Sequence, residues 1–248
     1  MEITRLCRYP VKGLSVEDLQ EIHLNPDEPV PGDRRFALSM AGMDNSQTAW
    51  KSKASFLTLV CHEKLAALET QFNEETNTLS ILRMGKEVSS GCLGDPSGRA
   101  TVEDFLFTYL ARSVPAKPHI VAADEGIALT DTQTPFISIV NLASVRDLER
   151  VVGAEINPLR FRANVYFDCG QPWCELDWIG HDIAIGIARL NIAERTGRCA
   201  ATGVDPESGI RDHNIVAILQ SEFDHTDMGV YATVMNSSNI AIGDSVIS

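Results

Sequence analysis

The stretch MGVYATVMNSSNIAIGDSVI, residues 228–247, reads as a pair of terminal strands, MGVYATV followed by NIAIGDSVI. Upstream of it, HNIVAILQSEF (213–223) has the apolar spacing of a helix, and HDIAIGIARLNIAE (181–194) reads as one long or two short strands. LRFRANVYFD (159–168) predicts a further strand and ASVRDLERVV (143–152) an amphipathic helix. The first eighty-odd residues are also β in character, with short apolar runs at EITRLCRY (2–9), LQEIHL (19–24) and RRFALSM (34–40). LAALETQFNEETNTLSILRM (65–84) predicts a hairpin turning around Asn73 to Asn77, although its first part also suits a helix.

At TVEDFLFTYLAR (101–112), Thr101 and Asp104 resemble a capping arrangement, and Val102, Phe105, Leu106 and Tyr109 recur at helical spacing. This helix closes an N-terminal unit. RSVPAKPH (112–119), with two prolines, reads as a connector. The expected organisation is therefore 1–115 as one β-barrel-like domain and 116–248 as a second. Without regular βα repetition, the expected class is α+β, mainly β: a mixed, largely antiparallel β-barrel with a few helices.

A chain of 248 residues, 44% hydrophobic and 22% charged, can bury a sizeable core. Its net charge of -13 repels phosphate backbones and anionic lipid surfaces, which argues against nucleic acid and membrane as partners. No apolar run approaches the ~20 residues that span a bilayer, and MEITRLCRYPVK lacks the order of a signal peptide, so a cytoplasmic location is expected. The six cysteines are scattered and are expected to be thiols.

Three clusters carry chemical interest. Cys199 stands beside Arg198, among Thr196, Gly197, Ala200, Ala201, Thr202 and Gly203, and before the turn DPESG. A neighbouring guanidinium favours thiolate, the form that attacks electrophiles and binds soft metals, and small neighbours leave room for a bulky group. A small core cysteine before a turn is the competing account. In RYPVKG, a bend followed by Lys12 and Gly13 can present an ammonium and open N–H groups to an anion, as a solvated surface turn also would. On a strand, Arg160 and Arg162 of RFRAN share a face, and together with DRRF (33–36) they suit a phosphate-bearing ligand or a surface salt-bridge network.

Other chemistries find no support. There is no H-x-x-x-H or C-x-x-C pair, no G-x-S-x-G, no P-loop and no dinucleotide fingerprint. Cys169 and Cys174 have part of a plant-type iron–sulfur spacing, but the next position required is Asp177.

Taken in order, YPVKG, GDRRF, RFRANV, GRCAATGVDPESGIRD and MGVYATVMNSSNIAIGDSV resemble the MOSC proteins over nearly the whole chain, with the Arg-Cys then Val-Asp-Pro element the most specific part. The resemblance implies a molybdenum-cofactor (molybdopterin-type) oxidoreductase of the amidoxime-reducing kind, acting on N-hydroxylated small molecules. It implies Cys199 as the metal ligand, and Lys12, Gly13, Arg34, Arg162, Asn164 and Arg198 as cofactor-binding residues. Asp205 matches an acid expected to carry protons. No flavin or nicotinamide fingerprint is present, so an external donor, ferredoxin-like or haem-containing, is implied.

Three positions depart from the family pattern: Gly13, Ala163 and Gly203 stand where serine, proline and threonine are common. The lost hydroxyls bear on cofactor affinity and substrate. Alternative readings are a sulfur carrier with a persulfide on Cys199, a catalytically silent cofactor-binding module, and, more weakly, pyridoxal phosphate binding through Lys12.

Overall fold

The computed structural model describes residues 1–39 and 49–248. Met40, the last residue of the run RRFALSM, lies outside the described residues. The chain begins with strands β1 (Glu2–Arg8), β2 (Glu17–Leu19), β3 (Glu21–Leu24) and β4 (Phe36–Ser39). A meander of β5 (Glu69–Asn73), β6 (Thr78–Arg83) and β7 (Lys86–Cys92) leads into helix α1 (Pro96–Leu110) and β8 (His119–Ala122). Next come β9 (Ile137–Asn141), α2 (Leu142–Val152), β10 (Val165–Asp168), β11 (Asp182–Ile185) and β12 (Ala188–Gly197). Helix α3 (Ile215–Phe223), β13 (Asp227–Val234), β14 (Ser238–Ala241) and β15 (Val246–Ile247) complete it.

The class is α+β and mainly β, as the pattern of short apolar runs predicts. One mixed eight-stranded sheet dominates, in the order β15-β11-β12-β13-β9-β10-β1-β2. Every pairing in it is antiparallel except β9 with β10. No continuous ladder closes this sheet into a barrel. Its first and seventh strands are nevertheless drawn together, because Glu2 bridges Ser245 and Val246 N–H donates to Met1 O at 2.9 Å. The enclosed face is packed with Ile3, Leu6, Ile139, Val165, Leu190 and Val230, all buried. The amphipathic stripe of α2 (Val145, Leu148) and Leu219 of α3 cover part of the other face.

A second core lies under α1, whose Val102, Leu106 and Leu110 fall four residues apart on one stripe and meet Leu79 and Ile81 of β6. The capping expectation at Thr101 is corrected here. The helix starts five residues earlier, where Asp95 accepts from the N–H groups of Ser97 and Gly98 and Pro96 occupies the first turn. Thr101 sits inside the helix and donates to Ser97 O at 3.1 Å.

The strand expected over 159–168 is half correct. Only Val165–Asp168 pairs. Residues Pro158–Phe161 form a 3-10 turn capped by the Asn157 side chain, and Arg162 is left-handed with φ 49°. Strand alternation therefore does not place Arg160 and Arg162. The turn does, and it sends the two guanidinium groups to different partners. Among the described residues, no helix is long and apolar enough to cross a membrane.

Candidate functional site

The 3-10 turn at 158–161, the loop after β1, the segment before β9 and the end of β12 surround a cavity of about 330 Å³. Seven of the eight residues singled out in the sequence line it: Lys12, Gly13, Arg34, Arg162, Asn164, Arg198 and Cys199. A volume of this size suits a small molecule or cofactor.

Cys199 ends the strand-to-turn passage. Its backbone is extended, and its carbonyl accepts from the N–H of Thr202 at 3.1 Å and from the Thr202 hydroxyl at 2.9 Å, which starts the 3-10 turn Ala200–Gly203. The thiol is partly exposed and, among the described residues, makes no hydrogen bond through Sγ. Arg198 is oriented away from that role. Its Nε donates to Met228 O at 2.8 Å and its Nη1 to Phe161 O at 2.9 Å, and Nη2 also donates to Met228 O. These bonds tie the segment before Cys199 to β13 and to the 158–161 turn, so Arg198 holds the thiol's position.

The cationic wall is formed by Arg34 and Arg162, whose guanidinium groups lie over the Tyr9 ring at 4.5 and 4.1 Å. Arg34 Nη1 pairs with Asp33, and its Nη2 donates to Arg162 O at 2.8 Å. Arg162 Nη1 donates to Leu14 O at 2.9 Å, while its Nη2 is buried without a protein partner. Burial pulls this guanidinium down to about 10. Lys12 is buried too and donates to Leu129 O at 2.8 Å and to Asp131 at 2.6 Å. Burial lowers the ammonium below its ordinary value despite Asp131.

Asn164 serves the frame: its Oδ1 accepts from Ser138 N–H at 3.2 Å, and its Nδ2 donates to Cys7 O at 3.2 Å. Gly13 turns the chain with φ +84°, a conformation that an L side chain would strain.

Asp205 is the predicted site residue that the fold does not bring to the cavity lining. Its Oδ1 accepts from Ser208 N–H at 2.8 Å and Ser208 Oγ at 2.7 Å, and its Oδ2 accepts from Arg160 at 3.2 Å. The carboxylate shapes the DPESG turn. Sequence reasoning missed Asp131, Phe136 and Tyr231 and took Thr196 only as a small neighbour of Cys199; all four also line the cavity. They come from separate segments, and only the pairing of β9, β12 and β13 unites three of those segments. Phe136 and Tyr231 stack with centroids 5.3 Å apart.

The departures from the family pattern have local causes. A Cβ on Gly203 would meet His213 O at 2.5 Å, so the close backbone contact, not the cofactor, excludes threonine there. Ala163 N–H donates to the Tyr166 hydroxyl at 3.1 Å, a bond proline lacks.

An anionic, metal-bearing group fits these residues. Arg162 Nη2 and the Thr196 hydroxyl are buried donors with no protein partner, and both residues line the cavity. Among the described residues there is no cluster of three or more His, Cys, Asp or Glu able to hold a metal. A metal at Cys199 would then need ligands beyond these residues, such as a dithiolene cofactor carries.

The MOSC domain family model matches residues 129–247. Over 98% of its length the chain is 23% identical to mitochondrial amidoxime-reducing component 1 of Mus musculus, covering 81% of that protein. It is 26% identical to the Homo sapiens protein of the same name, over 98% of this chain and 82% of that one. Among solved structures, the YUAD protein from Bacillus subtilis aligns with 99% of this chain and 93% of its own, at 12% identity and a TM-score of 0.43. Residues 129–247 are thus similar to the MOSC domain family, and the two amidoxime-reducing component proteins are similar to nearly the whole chain.

Proposed function

We propose that this protein binds the molybdenum cofactor in the cavity around Cys199 and there reduces N-hydroxylated small molecules, with electrons from a separate ferredoxin-like or haem protein. The observation that carries the proposal is the convergence of Cys199 with Lys12, Arg34 and Arg162 on a cavity that still holds unpaired buried donors. The names of the curated relatives support the substrate class.

When bound, the cofactor supplies the two-electron redox couple. The chain supplies the rest. Cys199, as thiolate, offers a soft ligand, and the turn that starts at its carbonyl fixes its direction. Arg162 and Thr196 line the cavity, and their Nη2 and hydroxyl groups, which have no protein partner, would serve the cofactor's phosphate and polar pterin edge. Arg34 supports Arg162 by donating to its carbonyl, and Asp131 keeps Lys12 at the cavity. The stacked Phe136–Tyr231 pair gives the cavity an aromatic wall on that side. For an amidoxime the balance is the substrate plus two electrons and two protons giving amidine and water as the N–O bond breaks. Asp205 is bound within its own turn, so the protons are assigned to solvent.

The test is anaerobic turnover of acetamidoxime with reduced methyl viologen, using protein from a host that makes the cofactor. Wild type is expected to yield acetamidine and Cys199→Ala none. Equal turnover by the variant would overturn the proposal.

A further inference from the structure

Cys169 and Cys174 play no part in the site described above, and neither lines its cavity. They are free thiols, each half-buried, with their Sγ atoms in hydrogen-bond contact at 2.8 Å. The loop between them accounts for the meeting. Cys169 follows the end of β10, and Cys174 opens a 3-10 turn, Cys174–Trp178. Gly170 and Trp173 both take left-handed backbone, with φ 73° and 65°, and fold the intervening chain back on itself. A bulky aromatic residue resists that conformation. It is held by the Trp173 N–H, which donates to Ser144 Oγ at 2.8 Å, and by the indole Nε1, which donates to Asp147 Oδ2 at 2.8 Å. At the other end of the loop, Gly170 N–H donates to Asp168 Oδ1 at 2.9 Å. The fold thus brings the sulfurs together before any bond joins them.

Two thiols in contact can share a metal or share a bond. Among the described residues, no cluster of three or more His, Cys, Asp or Glu includes them, and the nearby Glu175 carboxylate is engaged by Asn141 and Ser144. The pair is chemically asymmetric. Asn141 Nδ2 donates to Cys169 Sγ at 3.2 Å and lies farther from Cys174 Sγ, at 3.7 Å. Burial, and then the sulfur beside it, push the Cys174 thiol up. Cys174 therefore keeps its proton, and Cys169 is the sulfur that attacks. Gly170, Gln171 and Pro172 are exposed, and both cysteines keep part of their surface in water, so a small reagent can reach them.

We propose that Cys169 and Cys174 form a redox-active dithiol, which a small oxidant of the peroxide class closes into a reversible disulfide. The Cys169 thiolate attacks one peroxide oxygen, the O–O bond breaks, and Cys169 becomes a sulfenic acid as hydroxide leaves and takes up the proton that Cys169 released. The Cys174 sulfur then displaces the sulfenic oxygen, which departs with the Cys174 proton as water. In sum, the two thiols give up two electrons and two protons, and one hydrogen peroxide becomes two waters. An external dithiol restores the pair by exchange and is itself oxidised to a disulfide. This chemistry is independent of the cofactor reading.

The test uses the full chain, purified from a host that makes the cofactor, reduced with dithiothreitol and then freed of it. Equimolar hydrogen peroxide is added at neutral pH, remaining thiols are alkylated at intervals, and the digest is mapped by mass. Wild type is expected to yield a Cys169–Cys174 linked peptide at least tenfold faster than the exposed Cys61 is oxidised, and dithiothreitol is expected to reopen the bond in the folded protein. Cys174→Ser should stop at a sulfenic acid on Cys169 that dimedone traps, whereas Cys169→Ser should give no dimedone adduct at Cys174. Should either variant fail to fold, the wild-type arm still decides. Recovery of Cys169 and Cys174 as separately alkylated thiols after Cys61 has been oxidised overturns the proposal, as does a bond that dithiothreitol cannot open without unfolding. A dimedone adduct at Cys174 in folded Cys169→Ser, as abundant as that at Cys169 in Cys174→Ser, overturns the order of attack.

Discussion

Arg160 grips Asp212 with two hydrogen bonds, Nη1 to Oδ1 at 2.7 Å and Nη2 to Oδ2 at 2.5 Å. The same guanidinium reaches Asp205. One buried cation thereby ties both ends of the loop that follows Cys199 to the turn at 158–161, the turn that also presents Arg162.

Replacing Asp212 with alanine is expected to leave Arg160 buried and half-paired. The cost is about 2 kcal/mol, below the range for fully buried pairs because a third of Asp212 is exposed. For a chain of this size that lowers Tm by roughly 4–8 °C. The pH dependence has a defined sign. Burial pushes Asp212 upward, but Arg160 more than offsets it and holds the carboxyl below its ordinary value. The pair therefore stabilises the fold above the ordinary carboxylate range, and that contribution disappears as pH falls through the lowered value, below about 4. The difference in stability between wild type and Asp212→Ala, measured by thermal melts, should be constant near neutrality and shrink in acid. A difference that grows in acid would contradict this.

Gly203 supports the Cys199 turn by close backbone approach. Gly203→Ala places a Cβ 2.5 Å from His213 O, and either that segment or the Cys199 turn must shift. The expected loss is about 1–3 kcal/mol, typical of overpacking. Gly203→Thr should be no more stable, although threonine is the family's common residue. Urea titrations of the two variants check both statements.

Glu175 gives the opposite pH signature from Asp212. It is fully buried and accepts from Ser144 Oγ at 2.8 Å and from Asn141 Nδ2 at 2.9 Å. Burial nevertheless raises its carboxyl above the ordinary value, outweighing these donors. A raised native value favours the protonated fold, so the contribution is full below the ordinary glutamate value and is lost as pH rises through the raised one. The stability of wild type relative to Glu175→Gln should therefore fall across that interval. A flat difference would mean that Asn141 and Ser144 fully compensate the buried charge.

Much of this was legible in the sequence, for physical reasons. Short apolar runs such as RRFALSM and HDIAIGIARLNIAE bury nearly all or alternate residues and so declare β4, β11 and β12. KEVSSGC does not, because β7 buries none of its residues fully and carries little apolar signal. LRFRANVYFD looked uniformly extended, yet Asn157 and Pro158 start a 3-10 turn, and local capping outweighs the apolar pattern. Of the site, residues clustered in motifs were readable. Asp131 was not, since it gains its meaning only beside Lys12 across the fold. Asp205 was misplaced because a motif shows which residues recur together, not which of them face the ligand.

The central claim is that Cys199 holds a molybdenum cofactor. Its most direct test is the molybdenum-to-protein ratio of wild type and of Cys199→Ser, both purified from a host that makes the cofactor. The account predicts near-stoichiometric metal in the wild type, and loss of metal or an altered metal spectrum in a variant that melts like the wild type. Metal absent from both proteins, or bound equally with the same spectrum in both, would contradict it.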